Sequence, residues 1–246
     1  MSLNKFFKPK FCYDLIRVGK NNDGGYLIDT HSFKEAETLI SLGISDDWSF
    51  EKDFFFKREK KIIVECYDDS LEEKFLIKNL VIQFIFIIYH KRLKFFTETV
   101  IKFFSYRRLK KIFLFKKKKI GYGDLNKILK KKNSKVFLKV DIETGEYRIL
   151  KDILSNQNKI IGLVIEFHDC DLHKDKIINF INSFKLTLVH THGNNYCDRD
   201  LNGDPTIIEL SFGRFPSKKG ILKFLLNKLD MPNNKYKDEV VLKFEI

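Results

Sequence analysis

The sequence predicts an α/β fold, a mostly parallel seven-stranded sheet flanked by helices and closed by an antiparallel C-terminal hairpin. Three observations predict it. Apolar runs of four to seven residues alternate with longer stretches of helical periodicity, the pattern of βαβ units. The last two runs have no helical stretch between them and therefore pair as a hairpin. Finally, 246 residues with 43% hydrophobic and 14% aromatic content suffice for one large core and exclude a disordered chain.

Taken in order, the candidate strands are ETLISLG (37–43), KKIIVECY (60–67), KKIFLF (110–115), KVFLKV (135–140), IIGLVIEF (160–167), KLTLVHTH (185–192) and TIIELSF (206–212). Residues 71–108, between the second and third strands, form a helical pattern far longer than one crossover requires. They read as a helical insertion within a single domain spanning 1–246. Its most apolar run, LVIQFIFIIY (80–89), is about half the roughly 20 residues of a membrane-spanning helix, so a buried helix is expected. The tail from Pro216 carries the turn-rich LDMPNN (229–234) and is expected to wrap back onto the domain.

The formal charge is +13. Much of it lies in KREKK (57–61), RRLKK (107–111), KKKK (116–119) and KKK (130–132), at the edges of elements, where lysines solvate a surface. A membrane or other anionic surface is the alternative reading. No recognition-helix motif, zinc-finger spacing or RNA-binding aromatic signature accompanies the charge, so no specific nucleic acid is expected. Cys12, Cys66, Cys170 and Cys197 form no CxxC pair and read as reduced thiols. The N-terminal MSLNKFFKPKF has no apolar stretch of signal-peptide length, which makes a cytoplasmic location the expectation.

In an open α/β sheet, ligands sit outside the carboxyl ends of the strands. The first strand delivers SLGISDDWSFE (41–51), where Gly43 permits close backbone approach, Ser45 and Asp46 form the turn, and a helix starts near Trp48 or Ser49. Such a helix start suits an anionic ligand group. The second delivers ECYDDS (65–70), where Asp68 or Asp69 can accept both hydroxyls of a ribose, or can simply cap a helix. The fourth is followed by Asp141, Glu143 and Glu146, the fifth by Glu166, His168 and Asp169, and the sixth carries His190 and His192. Of the acids after the fourth strand, Asp141 is expected to face the pocket and Glu146 to support the next helix.

The segments RVGKNNDGGYLI (17–28), LISLGISDDWSFE (39–51), VECYDDS (64–70), FLKVDIETGEYRIL (137–150), GLVIEFHD (162–169), VHTHGNN (189–195) and IIELSF (207–212) together resemble the FkbM-type family of class I methyltransferases. The resemblance runs in order from about Arg17 to Phe212 and leaves out the helical insertion. It implies a Rossmann-like fold, S-adenosylmethionine as cofactor, and methyl transfer to a hydroxyl of a sugar, sugar nucleotide or glycan. The family's Lys-Ile-Asp-Ile-Glu-Gly-x-Glu segment matches 139–146, with Thr144 where glycine is common and Gly145 one position later. Asp68 takes the place of the ribose acid. Ser41 stands where an acid is often found, and Ser45 where a second glycine would be. The cofactor residues it implies are Gly43, Ser45, Asp46, Asp68 and Asp124, and the Asp23-Gly24-Gly25 turn can complete the pocket.

Methyl transfer to oxygen needs an acceptor held in line and relieved of its proton. Asp141, Glu166, His168 and His192 are the candidate catalytic residues. Either His168 or His192 is a neutral general base, or Asp141, Glu166 and His168 ligate a divalent cation such as Mg²⁺ or Mn²⁺; the sequence leaves both open. An anionic sugar derivative is the expected substrate, with peripheral membrane contact as a further partner. A noncatalytic basic protein on the same fold, binding nucleic acid or an anionic surface, is the rival reading.

Overall fold

The computed structural model describes residues 3–70, 77–78, 80–82, 84, 93–133, 135–221 and 227–245. Its strands are β1 (Phe11–Tyr13), β2 (Leu15–Val18), β3 (Tyr26–Asp29), β4 (Thr38–Leu42), β5 (Ile63–Asp68), β6 (Leu114–Lys117), β7 (Val136–Val140), β8 (Ile160–Phe167), β9 (Thr187–Gly193), β10 (Ile208–Gly213) and β11 (Lys218–Ile221). The helices used below are α1 (Thr30–Glu35), α2 (Ser49–Phe56), α3 (Leu93–Leu109), α4 (Asp124–Lys130), α5 (Leu150–Ser155) and α6 (Cys170–Ser183).

A seven-stranded sheet runs β6-β5-β4-β7-β8-β10-β9. Only β10 opposes its neighbours; the pairs β4–β5, β4–β7, β5–β6 and β7–β8 are parallel. This is the Rossmann-like methyltransferase fold that the sequence predicts, closing in the predicted antiparallel hairpin. Strands β4 and β7 are buried at every position, as parallel strands covered on both faces must be. On one face Ile40, Leu138, Val140 and Leu163 pack with Leu125 and Leu129 of α4, Ile153 of α5 and Phe180 of α6. On the other, Leu39, Val64 and Phe137 pack with Phe50 and Phe54 of α2 and with Tyr106 and Leu109 of α3.

Three features depart from the sequence reading. The third strand is Leu114–Lys117, not 110–115, because Lys110 and Phe113 still bond back to Tyr106 and Leu109 of α3. The hairpin β2–β3, pairing Arg17 with Leu27 and Val18 with Tyr26, is an addition beyond the predicted seven strands. It is pinned to the sheet where the Ser211 hydroxyl donates to the Leu27 carbonyl at 2.6 Å. Lastly, the run 80–89 was expected to be buried, yet Val81 and Phe84 are each 54% exposed; the rest of that run, apart from residues 80 and 82, lies outside the described residues, as do 71–76 and 90–92 of the helical insertion. Among the described residues no helix is long and apolar enough to cross a membrane.

The tail does wrap back. Asn22 Nδ2 donates to the Pro232 carbonyl at 2.8 Å, and Asn195 exchanges hydrogen bonds with Asn234. Gly162 marks a tightly packed point of β8: an added Cβ would stand 2.5 Å from Phe137 Cε2 and 2.7 Å from Ser32 Cβ. We expect Gly162→Ala to cost about 1–3 kcal/mol of stability, the range for overpacking a filled core, as measured by urea unfolding. Unchanged stability would show that the strand β8 and the helix α1 separate freely.

Candidate active site

Gly43 follows β4 with φ +74°, and a Cβ there would lie 1.6 Å from the Asp141 carbonyl oxygen. Only glycine lets the β4 and β7 ends approach this closely. The next turn residue, Ser45, also adopts a left-handed φ of +44°, which explains why a second glycine belongs at this position. Helix α2 then begins at Ser49 with Trp48 at its N-cap, where the sequence places it.

The loop is clamped by Asp68 at the end of β5. Asp68 Oδ2 accepts from the backbone N–H groups of Ile44 (2.9 Å) and Ser45 (2.8 Å), while Oδ1 accepts from the N–H and hydroxyl of Ser70. Although burial works against the charge, these donors hold the Asp68 carboxyl below its ordinary range. Its lone pairs are thus committed to the protein, and exposed Asp69 beside it is the open carboxylate. Asp124, expected at the cofactor, does not line the cavity. It opens α4, accepting from Gly121 N–H and pairing with Lys118 at 2.8 Å. Asp46 lines the cavity with its carboxylate paired to Lys102 of α3.

These turns enclose a cavity of about 570 Å³ bounded by Gly43–Asp47, Tyr67–Ser70, Asp141–Gly145 and the Asp23-Gly24 turn. Seven of its lining residues are acids and three, Lys119, Lys139 and Arg148, are bases. In a protein of net charge +13 the cavity is acidic.

At its floor stands Lys139, 5% exposed. Its ammonium donates to the Gly43 carbonyl and lies 3.3 Å from Asp141 Oδ2. Burial opposes the charge, and Asp141 and Glu51 outweigh it, so the Lys139 pKa is raised. Glu51, wholly buried on α2, accepts from the Ser41 hydroxyl; an acid from the helix thereby faces the strand position where the sequence lacks one.

Tyr26, which the sequence reading overlooked, joins two strand ends. Its phenol oxygen lies 3.2 Å from Asp141 Oδ2 and 3.0 Å from Glu166 Oε2. A phenol brings one proton, so one carboxyl must bring its own. Burial first, then the neighbouring charges of Asp141 and Glu209, push Glu166 well above the carboxylate range, and Glu166 is the protonated partner. The only sequence signal for Tyr26 is the YLID run following the DGG turn.

His168 adjoins this group. Glu146, fully buried, accepts from the His168 backbone N–H at 2.7 Å and lies 3.1 Å from its Nδ1, a role supporting the start of α6. His168 Nε2 faces Glu143 Oε2 at 3.4 Å, with Glu166 Oε1 at 4.0 Å. Burial lowers the His168 pKa, but the hydrogen-bonded carboxylate of Glu146 more than offsets this and raises it to about 9. These neighbours favour the charged imidazole over the neutral base the sequence suggests. The metal triad also changes membership: Glu166 is engaged by Tyr26 and Asn194, and the donors that converge within 4.8 Å belong to Asp141, Glu143 and His168.

His192 does not join them. It stands in register with Glu209, and Glu209 with Glu166, two strand spacings or roughly 10 Å away. Both its ring nitrogens are taken, Nδ1 by Glu209 (3.2 Å) and Nε2 by Glu239 (3.1 Å). His190 similarly pairs with Asp230 of the tail at 2.9 Å.

No protein-family model matches the chain, and no curated protein matches it. Solved structures similar to it include the fibrillarin/Nop5p complex (11% identity, 74% of each chain covered, TM-score 0.41), the Methanococcus jannaschii fibrillarin pre-rRNA processing protein (8%, 76% of this chain and 70% of that one, 0.40) and the 23S rRNA methyltransferase ErmE (6%, 79% and 65%, 0.41). These are by name RNA-related proteins, one in complex with a protein partner, and none is a glycan enzyme. With neighbours so named, the expectation of an anionic sugar or glycan partner and of no specific nucleic acid is withdrawn. Its physical ground also fails, because most of the basic charge lies outside a cavity in which acids outnumber bases seven to three.

His192 supplies a test of the hairpin cluster. Burial opposes its charge, yet Glu209 and Glu239 raise its pKa from 6.5 to about 10. A raised pKa stabilises the fold fully below the unfolded value near 6.5, and this contribution fades as pH rises through about 10. We expect His192→Gln to cost roughly 3 kcal/mol at pH 7, because it strips the cation from two carboxylates. In urea titrations from pH 6 to 10 the gap between wild type and variant should close with rising pH; a constant gap would contradict the charged assignment.

Proposed function

We propose that the chain is an S-adenosylmethionine-dependent methyltransferase acting on a hydroxyl oxygen. The observation that carries this reading is the acidic cavity at the carboxyl edge of a methyltransferase-type sheet. S-adenosylmethionine brings a sulfonium and an ammonium against one carboxylate, a net cation that such a cavity attracts. The close approach at Gly43 and the Asp68 clamp give the cavity a preformed wall for a nucleoside, and its volume lies within the range of cofactor sites. The turn Gly43–Asp46 and the carboxylate of Asp69 would hold the cofactor, with Asp68 shaping the turn and Asp23 and Asp47 near the cationic groups. The KVDIETGE and ECYDDS segments, through their resemblance to FkbM-type enzymes, support oxygen as the acceptor atom.

When bound, the cofactor supplies an electrophilic methyl group. The chain's own part falls to Asp141, which lines the cavity while Tyr26 and Lys139 donate to its carboxylate. Held in this way, Asp141 orients the acceptor hydroxyl and receives its proton. The acceptor oxygen would take its methyl group from the cofactor, which would leave as S-adenosylhomocysteine, while the acceptor's proton would pass to Asp141.

Calorimetry with S-adenosylmethionine and S-adenosylhomocysteine tests the reading. Saturable binding of both is expected, with Asp69→Asn weaker by about 1–3 kcal/mol and Gly43→Ala binding neither. If neither ligand binds the folded wild type, the reading fails and the noncatalytic alternative takes its place. In methyl-transfer assays, Asp141→Asn is expected to keep cofactor binding and lose about a hundredfold in turnover.

A further inference from the structure

The geometry points to a divalent-cation site on the rim of the cavity, built from Asp141, Glu143 and His168, with Mn²⁺ as the ion it fits best. Each side chain offers one donor atom, and the three lie within 4.8 Å of one another. Donors bound to one ion at about 2.1 Å sit roughly 3 Å apart when adjacent, so a small inward movement closes the set. Glu143, 86% exposed in its side chain, is free to make that movement.

Independent support comes from His168, whose side chain is only 9% exposed. Glu146 receives its backbone N–H and faces Nδ1, which keeps a proton on Nδ1 and turns Nε2 toward Glu143; an ion bound there displaces the Nε2 proton. A buried carboxylate behind one imidazole nitrogen, with the other directed at open carboxylates, is the supporting arrangement of metal-bound histidines. The backbone points the same way. Glu143 (φ +48°) and Thr144 (φ +67°) are consecutive non-glycine residues in left-handed conformation, which costs energy and brings the Glu143 carboxylate back beside His168. Gly145, one position on, is not left-handed and so does not relieve the strain at Thr144.

Two carboxylates and one imidazole are a mixed donor set. Carboxylate oxygens suit Mg²⁺, Ca²⁺ and Mn²⁺, and of these three Mn²⁺, the transition ion, accepts an imidazole nitrogen most readily. Binding of the ion is separable from the cofactor reading, although an ion here would adjoin Asp141 and so polarise an acceptor hydroxyl.

The test uses the full chain, stripped with chelator and titrated with MnCl₂, read by Mn²⁺ electron paramagnetic resonance and calorimetry. One Mn²⁺ per chain is expected, displaced by Mg²⁺ only at much higher concentration. Glu143→Gln and His168→Ala should each weaken it at least tenfold, and the surface control Glu98→Gln should not. If His168→Ala does not fold, Glu143→Gln decides alone, since its side chain is exposed. Absence of saturable Mn²⁺ binding up to millimolar concentration, or binding indifferent to Glu143→Gln, overturns the site. S-adenosylmethionine is titrated separately, so failure of cofactor binding with Mn²⁺ retained counts against the methyltransferase reading and not against this one.

Discussion

The ammonium of Lys139 is the constraint from which the rest of the site follows. It lies beneath the cavity at the centre of a sheet covered on both faces, where an unpaired charge would be very costly. Its neighbours are therefore not free to vary. The Gly43 carbonyl must turn inward to accept from it, Asp141 must stand beside it, and Glu51 must reach in from α2. Ser41 and Lys139 are register partners on β4 and β7, so the hydrogen bond from Ser41 to Glu51 and the charge of Lys139 belong to one buried polar patch. Because the Gly43 and Asp141 ends are locked together, the cavity wall is set by the core and not by the loops alone.

From Asp141 the polar layer continues along the strand ends. Tyr26 bridges to protonated Glu166, Asn194 donates to Glu166, and Glu209 follows in register with Asn233 donating to it and His192 charged beside it. Acids on three adjacent strands would repel one another were all of them ionised and unpaired. The structure resolves this by protonating one, pairing another with a histidine and placing the third against a lysine. The tail from Asn227 has a purpose in this arrangement: it brings Asp230 to His190 and Asn233 to Glu209, satisfying groups that the sheet itself leaves open.

Much of the fold was legible in the sequence because central parallel strands are continuous apolar runs. LISL, VFLKV and IIGLVIEF announce themselves, and the two strands without a helix between them announce the hairpin. Legibility failed where hydrophobicity and structure part company. KKIFLF looks like a strand, but its first residues form the turn that closes α3, and the real β6 is an edge strand whose Leu114, Lys116 and Lys117 are exposed. Those lysines also keep the edge from pairing with another chain, which accounts for some of the positive charge without any ligand. In the site, acids and histidines were findable because they directly follow strands. Their pairings were not: Tyr26 meets Glu166 across 140 residues, and His192 was grouped with Asp141 although register separates them.

Thr144 shows how a local departure from a family pattern carries physical meaning. Glycine is common at this position because the backbone there is left-handed, and this chain keeps that conformation with a β-branched residue. The strain is held in place from both sides, by the Asp141 N–H bonded to Leu42 O at 3.0 Å and by the Gly145 N–H bonded to Ile142 O at 3.0 Å. Between those two bonds the chain has no freedom to relax Glu143 outward without breaking the β4–β7 junction that Lys139 secures. A strained turn anchored at both ends fixes the backbone from which the exposed Glu143 side chain reaches, and a site that must hold charge benefits from that fixed origin more than from the flexibility a glycine would give.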